Sequence, residues 1–503
     1  MVEGLNVRLS PLRSPAPEYM GDGAGIQPKF ATDFAPAMDL GADVEMPNPR
    51  FEDLAVISFQ PQVYKSSSLE ERPSIDTVYT SNFFSSFWPS HPFLPSSRHI
   101  EDYLRGSEGT SLIHAINYIG SLYACAGNSQ LQTMTFPQKL HEYPQNIFAV
   151  QSLILLAISS HMFDNPTQAQ AFLHTAIEIA LAIRLHRQDF DTRLGKGSCA
   201  MAESWRRTWW ELYILDIMFA GLNQTSNMWL KDAHPGARSL AEFNCRFFAE
   251  EEIEYSSFSY RIAAARALSG IISVSIAPSL QAPPSYTEAE LVLENLVLHL
   301  PKHMQSFVNI DGSINEILFQ THMMIHAPRS ILAASGLIHQ ITCAPNAATW
   351  HSESILHHTK KTVDAADGIC QMISAPPSLF SRTPFFVCAV ALQAIVHLSA
   401  YGIAGWSQKR PLMQQQIQMS IGALKKLSEI WEVASIVLSQ IKCVARAVLD
   451  PPRNVRSPDD RRDTTSAHHS LKEAGIAETL PANFEDLVQG NDESWFNDFL
   501  AQN

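Results

Sequence analysis

The 503-residue sequence has little charge, and positive charge is the scarcer sign. Charged residues make up 17% of the chain, compared with about 25% in an average soluble protein. With 36 Lys and Arg against 50 Asp and Glu, the net charge is −14, which argues against a surface that holds nucleic-acid phosphates by itself. Apolar residues make up 46%, enough for the core of one large helical domain or of two or three smaller ones.

Closely spaced cysteines are also missing. The nearest two of the seven cysteines are 18 positions apart, at Cys370 and Cys388. Without a C-x2-C pair, the sequence excludes a zinc ribbon, a zinc cluster and a thioredoxin-type redox motif. The odd number of cysteines, together with the lack of a signal-peptide pattern after Met1, predicts free thiols in a reducing compartment.

Two long runs, residues 145–162 and 383–408, carry no charged residue. Their length raises the question of a membrane span. The second run contains Gln393 and His397, however, and polar side chains are costly inside a bilayer. We therefore predict that both runs form buried helices of a soluble domain and that the protein has no membrane segment.

Catalytic motifs are absent as well. The sequence has neither a P-loop nor a G-x-S-x-G nucleophile motif. His141 and Glu142 lack the second histidine of a metalloprotease helix, since position 145 is Gln. Ser439 and Lys442 have the S-x-x-K spacing, but they fall inside an apolar helical pattern without companion motifs. We predict that the protein is not an enzyme and has no catalytic site, metal ion or cofactor.

Helical periodicity is the dominant pattern that is present. From residue 76 to about residue 450, apolar residues recur at spacings of three and four, and no stretch predicts a β-strand. The predicted fold class is therefore all-α. The predicted helices lie near residues 100–104, 111–126, 146–162, 166–183, 201–219, 262–276, 287–300, 314–325, 351–373, 383–404 and 412–449. The last is predicted as one continuous helix whose apolar seam suits internal packing, or a coiled-coil partner.

Both ends of the chain differ from this pattern. Residues 1–72 are rich in Pro, Ser, Gly and Asp and are predicted to be disordered, residues 73–450 to form the helical domain, and residues 451–503 to form a polar tail. From Glu473 onward the tail has seven acidic residues and no Lys or Arg. Large apolar residues alternate with these acids: Phe484, Leu487, Trp495, Phe496, Phe499 and Leu500. This pattern favours an activation segment that docks as a short helix on a partner; a terminal helix packed on the protein's own core is the alternative.

The sequence Trp205-Arg206-Arg207-Thr208-Trp209-Trp210-Glu211 is the most distinctive local pattern. On a helix at about 100° per residue, Trp205 and Trp209 share one arc. Arg207 and Glu211 fall on the opposite arc, at the spacing of an ion pair. These positions predict an aromatic buried face and a charged outer face.

Asp216 continues this helix and points into the aromatic arc. A buried carboxylate is costly unless a cation or several donors pair with it. The nearest cations in the sequence precede the helix: Arg184, His186 and Arg187. We predict that these side chains and Asp216 form a buried structural network rather than a catalytic site, because no nucleophile accompanies them.

Residues 176–187 and 205–216 resemble the central regulatory domain of fungal-specific transcription factors. That domain typically reads Ala-x-x-Leu-Gly-Leu-His-Arg, a loop, and then Arg-Arg-x-Trp-Trp-x-x-Tyr-x-x-Asp. Residues 296–301, 323–328 and 366–373 fit later family motifs in the same order, so the resemblance spans about 75–450.

Three features depart from the family pattern. Arg184 stands where the family usually has Gly, and Gly221-Leu222-Asn223-Gln224 replaces the usual Gly-Arg-Pro. Residues 1–75 contain no cysteine, whereas the family usually has a six-cysteine zinc cluster there. No DNA-reading residue can therefore be transferred from the family to this sequence.

The resemblance implies a nuclear transcriptional regulator of a filamentous fungus, of the kind that controls a metabolic or secondary-metabolite gene cluster. Its expected partners are the transcription machinery or a co-activator, which would bind the acidic tail, and a DNA-binding regulator or an undetected zinc-cluster segment for targeting. A homodimer is a further expected assembly. The alternative is a helical ligand sensor or scaffold without transcriptional output.

Overall fold

The computed structural model has an all-α fold, as predicted, over the residues that it describes. These residues lie within the unit Glu70–Asn503. They are 77–105, 108–124, 143–187, 190, 199–223, 228–230, 243, 255–276, 286–343, 352–375, 379–401 and 409–449. The predicted N-terminal segment 1–72 and the predicted activation segment, with all six of its apolar residues, lie outside the described residues.

The described part of the chain forms thirteen α-helices, connected in places by single helical turns. The helices are α1 Thr77–Asn82, α2 Ile100–Tyr103, α3 Thr110–Ala124, α4 Ile147–Met162, α5 Pro166–Ala182, α6 Cys199–Leu222, α7 Ser257–Ile276, α8 Tyr286–Leu298, α9 Glu316–Cys343, α10 Ser352–Ile373, α11 Phe386–Tyr401, α12 Arg410–Leu427 and α13 Glu432–Leu449. A π-helical turn, Phe83–Phe87, continues α1. Within the described ranges, β pairing is limited to one isolated bridge between Val308 and Ile314.

Local sequence signals explain where α4 and α5 begin. Asn146 caps α4, because its side-chain oxygen accepts a hydrogen bond from the backbone amide of Ala149 at 3.0 Å. Asn165 caps α5 in the same way, and Pro166 occupies the first turn, where the missing N–H costs nothing. Every residue of α4 except Phe148 is buried, as its apolar composition on all sides predicts.

The predicted single helix 412–449 is wrong, since the structure has two helices with a break at residues 428–431. The last turn of α12 carries Lys425 and Lys426, and the first turn of α13 carries Glu432. These charges match the negative end of one helix dipole and the positive end of the next. The apolar seam continues across the break, where Trp431 is fully buried.

The helices share one large hydrophobic core. Helix α6 lies centrally, in contact with α4, α5 and α7. The seam of α13 faces the protein's own core, because α13 packs on α4, α11 and α12. Helix α9 runs through Pro328 and is longer than predicted. None of the helices in the described ranges combines the length and hydropathy that a membrane crossing requires.

Candidate functional site

The tryptophan helix α6 is held at its N-terminal half by a buried chain of hydrogen bonds. The Trp205 indole N–H donates to the Tyr103 hydroxyl at 3.1 Å, and that hydroxyl donates to Gln151 at 2.9 Å. The Gln151 amide in turn donates to Thr208 of α6 at 2.9 Å. Burial raises the pKa of Tyr103 to about 12 despite these hydrogen bonds. The chain therefore connects α2, α4 and α6 through neutral groups.

Glu211 lies at the centre of a second, charged network, and its predicted position on an outer face is wrong. Its side chain is fully buried and accepts two hydrogen bonds from Arg261 of α7, at 2.7 and 2.9 Å. Arg207 instead pairs with Glu203 at 2.9 Å. The helical arc misplaced Glu211 because α6 is buried on all sides from Glu211 to Ala220.

His91 connects Glu211 to Thr383, in the later part of the described chain. Its Nδ1 lies 2.7 Å from Glu211 Oε1, and its Nε2 lies 3.1 Å from the hydroxyl of Thr383. Burial lowers the pKa of His91 although the contact with Glu211 opposes this. A neutral ring that donates through Nδ1 and accepts from Thr383 satisfies both contacts. The network joins the aromatic segment 83–95, α6, α7 and the turn before α11.

A second buried ion pair lies beside this network. Arg382 pairs with Glu316 at the start of α9, and its guanidinium group lies 4.4 Å from the ring centre of Phe319. Burial raises the pKa of Glu316 to about 6, which Arg382 and Ser381 only partly offset. Neither Arg261 nor Arg382 was predicted as a site residue. Arg261 has one sequence signal, since it is a cation in an apolar helix with no acidic residue within four positions.

The predicted pairing of Asp216 with Arg184, His186 or Arg187 is wrong. Asp216 is 3% exposed, and its carboxylate accepts a hydrogen bond from the backbone amide of Leu230 at 2.8 Å. No ion pair to Asp216 occurs among the described residues. Burial raises its pKa to about 6, although backbone hydrogen bonds from Leu230 and Trp229 act in the opposite direction.

Asp216 also borders a small polar cavity. The cavity has a volume of about 20 Å³ and is lined in part by Gln170, His174 and Trp229. That volume accommodates one water molecule. Among the described residues, Asp216 therefore receives hydrogen bonds from the backbone and not from a cation, and these do not fully offset its burial.

Arg184 has a backbone role at the end of α5. Its φ of 61° places it in the left-handed region. The amide of Leu185 donates to the Ala180 carbonyl at 2.9 Å, and the amide of Arg184 donates to the Leu181 carbonyl at 3.0 Å. These two hydrogen bonds together form a Schellman motif, in which glycine is the favoured residue at the left-handed position. The geometry explains why the family usually has Gly at this position.

The other predicted motif residues divide between surface and core. Arg184, Arg187 and Arg206 are exposed, so the cations of the motif do not converge on one site. The His186 ring lies 5.6 Å from that of Trp209, and burial, then Arg187 and Arg184, lower its pKa.

The two adjacent tryptophans of the motif differ in depth. Trp209 is 2% exposed, and its indole N–H has no hydrogen-bond partner among the described residues. Trp210 is half-buried and meets the Tyr213 ring edge-on at 5.6 Å. Both side chains therefore contribute packing.

The site as a whole holds segments together. Nearly all its polar groups face one another inside the core. The Thr383 hydroxyl does lie beside His91, and His91 beside Glu211, but these three side chains are at most 1% exposed, so a substrate cannot reach them in this structure. In the part of the chain that is described, no three His, Cys, Asp or Glu side chains lie close enough to hold a metal ion. The buried ion pairs and hydrogen bonds connect α2, α4, α6, α7 and the turn before α11, through residue pairs that differ from the predicted ones.

This region is similar in sequence to known proteins. Residues 82–222, from the aromatic segment to the end of α6, match the fungal specific transcription factor domain. The chain is also 31% identical over 401 residues to the C6 finger domain transcription factor iacK of Pestalotiopsis fici, over 73% of this chain and 58% of that protein. No solved structure matches. The chain therefore contains a fungal specific transcription factor domain, at residues 82–222.

Proposed function

We propose that the protein is a nuclear transcriptional activator for a metabolic or secondary-metabolite gene cluster of a fungus. The observation that carries the proposal is the domain match over residues 82–222, a region whose distinctive motif is built into a structural core rather than a catalytic site. The similarity to a C6 finger domain transcription factor supports regulation of transcription. Because the chain spans 58% of that relative's length, activation, target genes and partners belong to the proposal.

The acidic tail is the proposed activating element. Its acids keep it soluble, and its aromatic residues would bind the groove of a co-activator as a short helix. We expect residues 453–503, fused to a heterologous DNA-binding domain, to activate a reporter gene. The matched control replaces Trp495, Phe496, Phe499 and Leu500 by Ala and keeps every acid. A silent wild-type fusion, or equal activation by the control, would remove this role from the tail.

DNA targeting is proposed to come from a partner regulator. Two features of the sequence support this proposal. A net charge of −14 does not favour binding to DNA phosphates. Residues 1–75 contain no cysteine that could ligate zinc in a zinc cluster. Purified full-length chain should not shift promoter DNA at physiological salt, either alone or as a homodimer. A specific, salt-sensitive shift would contradict the proposal. An in-frame cysteine cluster in the genomic sequence upstream of Met1 would mean that a zinc cluster, and not a partner, targets the protein to DNA.

A further inference from the structure

A large cavity lies among helices α6, α7, α9 and α11. Its volume is about 770 Å³, within the range of about 300–1,000 Å³ that is typical of small-molecule sites. Its described lining is made of aliphatic, methionine and aromatic side chains and the thiol of Cys388, and none of these lining residues is charged. The cavity is partly open to solvent, and a space of this size leaves many of its lining side chains without protein contact partners on one side.

The walls of the cavity can adapt to a ligand. Met218 of α6 and the adjacent Met323 and Met324 of α9 all line it. Methionine side chains are unbranched and polarizable, and they repack around apolar molecules of different shapes. The three methionines therefore suit a binding surface better than a fixed core.

One wall of the cavity is formed by α9 around Pro328. Pro328 lies inside α9 and has no backbone N–H, so the Met324 carbonyl lacks its usual helical donor. Met324 and Pro328 both line the cavity, because residues four apart share one face of a helix. The other polar group is the thiol of Cys388, and burial raises its pKa to about 12, so it is neutral.

We propose that this cavity binds a neutral, largely hydrocarbon small molecule that donates one hydrogen bond to the Met324 carbonyl. An ionised ligand is excluded because none of the described lining side chains carries a charge that could compensate the ligand's lost hydration. Occupancy would supply the missing contacts between α6, α7, α9 and α11 and so stabilise the domain. Binding gives the regulator a sensing site, and its test is independent of the activity of the tail.

The test uses two fluorescent probes that differ by one anionic group. N-Phenyl-1-naphthylamine is neutral and has one N–H donor, whereas 8-anilino-1-naphthalenesulfonate is its sulfonated analogue. With full-length protein, we expect the neutral probe to bind one molecule per chain and the sulfonate to bind at least about tenfold more weakly. Absence of saturable binding by the neutral probe, as when the chain itself fills the cavity, would overturn the proposal. Equal binding of the two probes would do the same.

Cavity-filling variants locate the probe. Ala327→Trp on α9 and Leu392→Trp on α11 fill the cavity from two different sides. The matched control is Ile395→Trp, at a 46% exposed position of α11 outside the lining. Among the variants that retain the wild-type helical circular dichroism, we expect both cavity variants to lose binding and the control to keep it. Full binding by either folded cavity variant would place the probe elsewhere and overturn the proposal.

The acceptor has its own variant. Pro328→Ala supplies the amide that bonds the Met324 carbonyl within the helix. We expect it to weaken binding of the neutral probe by about tenfold, the value of one hydrogen bond. Unchanged affinity in a folded variant would overturn the assignment of Met324 as the acceptor.

Discussion

The pKa values of two buried carboxyl groups on helix α6, Glu211 and Asp216, are shifted in opposite directions. Burial favours the protonated form of both. At Glu211 the charge of Arg261 and the hydrogen bond from His91 outweigh burial and lower the pKa to about 2. At Asp216 burial prevails over two backbone amides and raises the pKa to about 6. One helix therefore carries one carboxylate that stabilises the fold when ionised and one that destabilises it.

Glu211 is predicted to be indispensable for stability. Glu211→Gln leaves the charge of Arg261 buried without its counter-charge, which typically costs about 3–5 kcal/mol. The matched control is Glu203→Gln, which breaks only the partly exposed pairs with Arg206 and Arg207 and should cost less than about 1 kcal/mol. Urea denaturation near neutral pH measures both. Equal effects of the two substitutions would contradict the buried network.

Asp216 is predicted to make stability depend on pH. Its folded pKa of about 6 exceeds the unfolded value of 3.8, so its contribution is fully present below pH 3.8 and is lost as pH rises through about 6. Asp216→Asn keeps an acceptor for Leu230 and should stabilise the protein by up to about 3 kcal/mol above that range. Glu211 acts in the opposite sense, because its contribution is lost as pH falls from 4.5 towards about 2.

Denaturant midpoints between about pH 4 and pH 8 check the Asp216 prediction. In that range the variant should show a smaller fall in stability than the wild-type protein, since Glu316, whose pKa is also raised to about 6, contributes a fall of its own. Asp216→Ala is the control, since it leaves the Leu230 amide without an acceptor and should destabilise by about 1–3 kcal/mol. An Asn variant less stable than the wild type at the alkaline end would show that Asp216 has a cationic partner.

Among the elements, the end of α5 offers the clearest test. Arg184 adopts φ = 61°, a conformation that costs a non-glycine residue about 1 kcal/mol. Arg184→Gly should therefore stabilise the protein by about 1 kcal/mol. The same change two positions earlier, Ala182→Gly, falls inside the helix and should destabilise by about the same amount. Thermal unfolding measures both; a destabilising Arg184→Gly would contradict the Schellman geometry.

Local signals in the sequence predicted many elements, whereas tertiary partners could not be predicted. The caps at Asn146 and Asn165 and the Pro166 start depend on neighbouring residues only, so α4 and α5 were placed well. The pairing of Glu211 with Arg261 and His91 depends on the fold, since these residues lie 50 and 120 positions away. The break between α12 and α13 was missed because the apolar seam continues through Trp431. The sequence signals of the break are the lysines that end α12 and the glutamate that begins α13.

For the molecule as a whole, the buried network makes the matched domain dependent on later helices. His91 contacts Thr383, 292 positions away, and Glu211 requires Arg261. We expect a fragment of residues 77–230 to lack the cooperative unfolding that the full chain shows, because its core loses α7, α9 and α11. Circular dichroism during thermal denaturation compares the two. A cooperative transition in the fragment would mean that the domain is complete within the matched region.

The central claim, transcriptional activation by this chain, is tested most directly by transcript sequencing in the source fungus. A strain without the gene is compared with strains that regain the full chain or a chain ending at residue 452. The account predicts that deletion lowers the transcripts of one contiguous gene group and that only the full chain restores them. Unchanged transcripts after deletion, or full restoration by the truncated chain, would contradict it.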